Sequence, residues 1–305
     1  MGSSGTILQD RDWQTLIYKI QSGLCTPFIG AGASYPVLPL GGQLATALIE
    51  EEEKWGKKCP LKDRTDLPKV AQYLAVTHDD GTWPKLKIRD FIKNRPQTDF
   101  TDENEPHRVL ADLELPIYLT TNYDNFMVTA LRRKHPQARQ EFARWTRKLL
   151  EENSSDFDDG YEPSPENPVV FHLHGHTEFY EGMVASEDDY LDFLVNISKD
   201  LGSSPSDARK RAMLPPRIRR AITSSTLLFI GYSLGDINFR VILRGLVGSL
   251  ERAAKQVNIA VQFAGDDPSE LKDYLEQYFQ YTLQLKVFWG SAAEFAQQLR
   301  SRWRH

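Results

Sequence analysis

Three histidines alternate in the run His172-Leu173-His174-Gly175-His176. On a β-strand successive side chains point to opposite faces, so this spacing puts all three imidazoles on one face. Gly175 is expected to end the strand. Two chemistries are open to such a run. A His-x-His pair at a strand end can ligate a metal through neutral imidazoles, which would make His172 and His174 the centre of a metal-dependent hydrolase. Alternatively, one imidazole is a general base, because its ordinary pKa lies near neutral pH. At least one of the three is expected to be structural only.

Three other segments carry polar groups at the ends of apolar runs. Phe28-Ile29-Gly30-Ala31-Gly32-Ala33-Ser34 is a small-residue loop after a strand. Glycines there let backbone amides approach a pyrophosphate, and a helix start beyond the loop favours negative charge. Tyr35 stands where G-x-G-x-x-G has its third glycine, so an ordinary tight turn is the competing reading. In Thr120-Thr121-Asn122-Tyr123-Asp124, Asn122 falls just past a strand, on the edge where ligands bind, while Asp124 is placed to cap the next helix. Gly231-Tyr232-Ser233 ends another strand, and a small residue with a hydroxyl there can bind phosphate or ribose. Asp236 opens the following helix, as a cap or as a ligand contact.

The elements that must position these groups alternate. Strands are expected at Cys25–Ile29, Pro116–Thr120, Val169–Leu173, Thr226–Gly231, Asn258–Phe263 and Leu283–Trp289. Helices are expected between them, among them Gln43–Lys54, Asn125–Arg133, Ser186–Leu201, Ile237–Ala254 and Ala292–Trp303. Nearly continuous apolar strands separated by helices predict an α/β fold, with a parallel six-stranded sheet covered by helices on both faces. One domain spans 1–305, with its sheet core at about 20–50, 106–134, 168–178 and 215–305. Smaller inserted helical modules occupy about 51–105 and 179–214. The acidic, proline-rich stretch 151–168 is expected to be a mobile loop. A sheet of this class binds ligands at the carboxyl ends of its strands, where the four segments fall.

Bulk composition excludes several classes. The 305 residues are 40% hydrophobic and 26% charged, ordinary for a globular protein. With 37 basic and 42 acidic residues the net charge is -5, so direct nucleic-acid binding is not expected. Two cysteines, Cys25 and Cys59, are too few for a four-cysteine zinc site or a disulfide framework, and a reducing cytoplasm is the expected location. No apolar run is long enough to span a membrane, and Met1–Gly5 has no apolar signal core.

The four segments, in this order, resemble the landmarks of the sirtuin superfamily: Gly-Ala-Gly-Ala-Ser, Thr-x-Asn-x-Asp, Leu-His-Gly and Gly-x-Ser. The resemblance covers roughly residues 20–265 and implies a Rossmann-like sheet with a smaller inserted module and a pocket for NAD. It implies that Gly30, Ala31, Gly32 and Ser34 embrace the pyrophosphate, and that Gly231 and Ser233 hold the adenosine side. Asn122 and Asp124 would lie near the nicotinamide ribose and nicotinamide, with Thr121 and Asp236 further NAD contacts. His174 matches the catalytic base, and Asn122 would orient the ribose or the attacking water. The chain departs from protein-deacylating sirtuins in having no cysteine beyond residue 59, no Pro-Asp-Phe-Arg after the glycine loop and no Phe-Gly-Glu segment.

That combination resembles the sirtuin-like domains of bacterial anti-phage defence systems, which also contain Gly-Tyr-Ser-x-x-Asp-x-Asn, here Gly231–Asn238. The resemblance implies an NAD hydrolase that cleaves the nicotinamide–ribose bond, with NAD as substrate and neither zinc nor another metal. A non-catalytic sensor of NAD or ADP-ribose is the alternative, and the metal-dependent hydrolase ranks below it. A toxic NAD hydrolase needs restraint. The implied partners are therefore further copies of the chain, or a separate activator such as an ATPase or a nucleic-acid-guided sensor.

Overall fold

All five residues of Cys25–Ile29 are buried, as are all five of Thr226–Ile230. Such strands present no face to water and belong in the middle of a parallel sheet. The computed structural model describes residues 8–54, 56, 58–202, 212–233, 240, 258–262, 269–283 and 285–303. Among these, seven strands form one sheet: β1 (Cys25–Ile29), β2 (Ile117–Thr120), β3 (Arg139–Phe142), β4 (Val169–His172), β5 (Thr226–Ile230), β6 (Asn258–Gln262) and β7 (Leu285–Trp289). Their order is β3-β4-β2-β1-β5-β6-β7, and every pairing is parallel. The chain therefore crosses to the other half of the sheet after β4, and the switch point lies between the neighbours β1 and β5. Crevices at such switch points are where open α/β sheets bind ligands.

The sheet has one strand more than the six expected. The addition is β3, whose Arg139-Gln140-Glu141-Phe142 has no apolar run to announce it. It forms an edge, paired to β4 with Phe142 opposite His172. The acidic stretch expected to be mobile is fastened beside this edge. Arg144 grips both oxygens of Asp158 at 2.5 and 2.8 Å, and Glu141 accepts from Ser155 Oγ at 2.8 Å.

Alternate residues of the strands feed two cores. On one face Ile29, Tyr118 and Ile230 pack with Trp13, Val109 and Phe295. These three come from the helices α1 (Asp10–Gln21), α5 (Pro106–Ala111) and α11 (Ala292–Trp303). On the other face Phe28, Leu119 and Phe229 pack with Phe193, Ile218 and Phe279. Those come from α8 (Glu187–Gly202), α9 (Pro216–Ser224) and α10 (Ser269–Leu283). Truncating a wholly buried phenylalanine such as Phe229 to alanine would cost about 3–5 kcal/mol.

A third core belongs to α2 (Gly41–Glu53), α3 (Leu67–His78) and α4 (Trp83–Lys93). Leu44, Leu48, Val70, Leu74 and Ile88 fill it, together with Met183 and Ala185 from the segment before α8. The helical module thus begins at α2, which the sequence placed with the sheet. Its two inserted parts share one core. A part-buried ion pair between Lys85 Nζ and Asp189 Oδ1 at 3.0 Å joins them. Among the described residues no helix is long and apolar enough to cross a membrane.

Candidate active site

β1 and β5 end on loops that interlock. The Gly30 N–H donates to the Ile230 carbonyl at 2.8 Å, and the Gly32 N–H donates to the Gly231 carbonyl at 2.9 Å. Gly231 has φ +82°, and a Cβ there would lie 2.3 Å from the Ala33 nitrogen. A Cβ on Gly32 would lie 2.9 Å from the Gly231 Cα. Only glycine allows this approach. The Ala33 and Ser34 N–H groups close a single 3₁₀ turn, Ala31–Ala33, by donating to Gly30 and Ala31. Three of the amides suggested for a pyrophosphate, those of Gly30, Gly32 and Ser34, are thus used inside the protein. No helix starts directly after the loop; α2 begins at Gly41.

β2 delivers Asn122 and Asp124 to this loop. Asn122 N–H donates to Thr120 Oγ1 at 2.9 Å, and its Nδ2 donates to the Gly30 carbonyl at 3.1 Å and to Ser34 Oγ at 3.2 Å. Ser34 Oγ in turn donates to Asp124 Oδ2 at 2.9 Å. The other oxygen of Asp124 accepts the Phe126 N–H at 2.9 Å at the start of α6 (Phe126–Arg132); the N-cap itself is Asn125, one residue beyond the position expected. Both Asn122 and Asp124 are buried. Thr121 Oγ1 meets Tyr232 Oη at 2.8 Å, and Tyr232 Oη donates to the Ile29 carbonyl at 2.9 Å. Tyr232 thereby crosses the end of β1 to tie β5 to β2. Burial holds its phenol well above the ordinary pKa.

The three histidines do not share a face. β4 ends at His172, before the alternation can act on the rest. His172 and His176 rings lie 5.1 Å apart, whereas His174 packs edge-on against Tyr190 and Phe193, each at 5.1 Å. The turn after His174 requires Gly175. Its φ is +72°, and a Cβ would lie 2.4 Å from the Gly182 carbonyl oxygen. Burial pushes the imidazole of His174 down to a pKa of about 3. Burial, then the neighbouring His176, takes His172 to about 3; burial takes His176 to about 4. All three are neutral at ordinary pH. His172 has partners on both nitrogens, Asn122 O at 2.9 Å and Gln140 Nε2 at 3.3 Å. His174 Nε2 is buried and meets no partner among the described residues.

A cavity of about 700 Å³ opens where these elements meet, a size suited to a nucleotide-like ligand. Its sheet side is lined by Ala31, Ser34, Thr121, Asn122, Asp124 and His174, with Gly231 and Ser233 from the β5 loop. Gly30 and Gly32 lie behind this wall, where they seat the two loops against each other. Asp236 lies outside the described residues. The sequence reading missed Tyr190 and Tyr232, which also line the cavity: Tyr190 belongs to the apolar face of α8, and Tyr232 beside its strand end carries no spacing signal. It also missed the opposite wall, Asp63 and Thr65–Pro68, ahead of and within α3. Among the described lining residues the charged side chains are all acidic: Asp63, Asp66 and Asp124. Among the described residues no group of three or more His, Cys, Asp or Glu side chains could hold a metal. Cys25 and Cys59 are both buried in cores and lie apart from the cavity lining.

The chain is similar to known proteins. NAD(+) hydrolase ThsA of Bacillus cereus (strain MSX-D12) is 24% identical over 247 residues, which cover 80% of this chain and 44% of that protein. NAD(+) hydrolase ThsA of Enterococcus faecium is 25% identical over 187 residues, 60% of this chain and 32% of that protein. The chain thus spans less than half the length of these curated relatives. A structure solved in work on the mechanism and regulation of Sir2 enzymes aligns over 96% of both chains, with a TM-score of 0.39 and 12% identity. The family model described as the SIR2-like domain matches residues 116–283, just over half of the chain, from β2 through α10. The protein belongs to the SIR2-like family.

Proposed function

We propose that this chain hydrolyses NAD at the bond between nicotinamide and ribose, giving nicotinamide and ADP-ribose. The observation that carries this reading is one cavity floor holding Asn122, Asp124 and an unpartnered, neutral His174. Buried polar atoms are normally paired, so an unpartnered imidazole nitrogen at a cavity calls for a ligand. The names of the ThsA relatives agree with this substrate.

Nicotinamide in NAD is a cationic leaving group, so its departure needs no strong acid. The ribose gains oxocarbenium character as the C1′–N bond breaks. Asp124 supplies negative charge at that end of the cavity, and a fixed charge aimed at a developing one is the strongest catalytic device available. Asn122 Oδ1 accepts from no group among the described residues, and it orients a ribose hydroxyl or the attacking water. The water oxygen bonds to C1′, and His174 takes the proton that the water releases and passes it to solvent. Base assistance of this kind is worth about 10²–10⁴-fold where the base titrates near the working pH. A bound ligand that partners Nε2 must therefore raise the imidazole from the pKa of about 3 that burial gives it.

The same reading extends to setting. Depletion of NAD by this reaction would serve anti-phage defence in the cytoplasm. The activity would be restrained until copies of the chain assemble or a separate activator binds. Free nicotinamide, measured after incubation of purified protein with NAD and with ADP-ribose appearing in equal amount, tests the reaction. Intact NAD recovered under assembling and non-assembling conditions alike would contradict it.

A further inference from the structure

Under the reading above, Asn122 Oδ1 works at the reacting end of the substrate, and the inference here rests on that. Every other polar atom of Asn122 is held. Its N–H goes to Thr120 and its Nδ2 to Gly30 and Ser34. Its backbone carbonyl goes to His172 Nδ1 at 2.9 Å. A carbonyl can only accept, so the His172 proton sits on Nδ1 and Nε2 is bare. Gln140 Nε2 approaches that bare nitrogen at 3.3 Å and is the donor there. Gln140 comes from β3, the polar edge strand, so its side chain secures the tautomer that serves Asn122. His172 is 1% exposed and is absent from the cavity lining, so it does not touch a ligand there.

We propose that His172, braced by Gln140, is a positioning residue: it pins the backbone of Asn122 and so aims Oδ1 at the substrate. The Ser34, Gly30 and Thr120 bonds hold the side chain and the N–H, but the peptide plane following Asn122 is held by His172. Without that bond the plane can rotate and Oδ1 shifts. Misplacement by an ångström can cost a reaction about 10²-fold.

The test compares His172→Phe, which keeps a ring and loses the donor, with His172→Asn, whose Nδ2 can reach the place of Nδ1. Steady-state kinetics of nicotinamide release and thermal unfolding are measured on each. The expected result is a kcat at least about tenfold lower in His172→Phe with KM for NAD nearly unchanged. His172→Asn recovers most of that loss at equal melting temperature. Equal kcat in wild type and His172→Phe would overturn the proposal, as would equal loss in both variants. Should the wild type itself release no nicotinamide, the hydrolase reading fails. The positioning claim is then read from hydrogen exchange at the Asn122 side-chain amide. Faster exchange in His172→Phe than in His172→Asn supports it, and identical rates overturn it. Histidine ¹⁵N spectra of the wild type give a check independent of turnover: protonated Nδ1 with bare Nε2 is expected at neutral pH, and the reverse tautomer overturns the assignment.

Discussion

Ser34 Oγ donates to Asp124 Oδ2 at 2.9 Å, joining residues ninety apart in sequence in the lining of one cavity. The same oxygen accepts from Asn122 Nδ2 at 3.2 Å. One hydroxyl therefore links the loop after β1 to both polar residues after β2. Ser34→Ala removes it and leaves a buried amide hydrogen and a carboxylate oxygen without a partner. The expected loss is about 1–3 kcal/mol of stability, together with a lower rate of NAD cleavage. Denaturant unfolding and nicotinamide release, measured on the same preparation, check both effects.

Gly231→Ala is expected to damage the fold itself. Its φ of +82° is a left-handed conformation, and the added methyl would lie 2.3 Å from the Ala33 nitrogen. Backbone strain of this kind costs about 1–3 kcal/mol, and the collision adds to it. A thermal melt within a degree of wild type would show that the β1 and β5 loops do not interlock as described.

These two positions show what sequence could and could not reveal. Gly30, Asn122, His174 and Gly231 could be expected at one edge of the sheet because each follows an apolar strand, and parallel sheets put such ends together; of the four, Asn122, His174 and Gly231 line the cavity. The use of the glycines was not legible. Room for a phosphate and room for a neighbouring loop demand the same residue, and here the loops fill that room. The alternating histidines misled because strand alternation holds only while the strand lasts, and β4 stops at His172. β3 escaped notice because an edge strand needs no apolar run, and Arg139–Phe142 has none. With β3 went Gln140, and so the partner that gives His172 its tautomer.

Burial of neutral imidazoles makes the protein sensitive to acid. His172 and His174 have pKa values near 3 and His176 near 4, against an ordinary value of 6.5. Between pH 6.5 and these values the unfolded chain binds protons that the folded chain refuses. Stability from these groups is therefore fully present above pH 6.5 and is lost as pH falls below it. Melting temperature is expected to hold level between pH 8 and 7 and to drop progressively toward pH 5. A level profile down to pH 5 would mean that the histidines ionise inside the fold.

Chelation is expected to leave the reaction untouched. His172, the partner that a His-x-His metal site would need, has both nitrogens engaged by Asn122 and Gln140. Nicotinamide release before and after exhaustive chelator treatment should agree. A loss of activity restored by one divalent cation would return His172 and His174 to the role of ligands.

The central claim is that Asn122 and His174 form the reacting end of an NAD site. Its most direct measurement is nicotinamide release by wild type, Asn122→Ala and His174→Ala, with melting temperatures taken alongside. The predicted result is stoichiometric nicotinamide and ADP-ribose from the wild type and a rate lower by about 10²-fold or more in each variant. The variants should still melt cooperatively. Wild-type rates in either variant, or loss of activity only where the fold is also lost, would contradict the account.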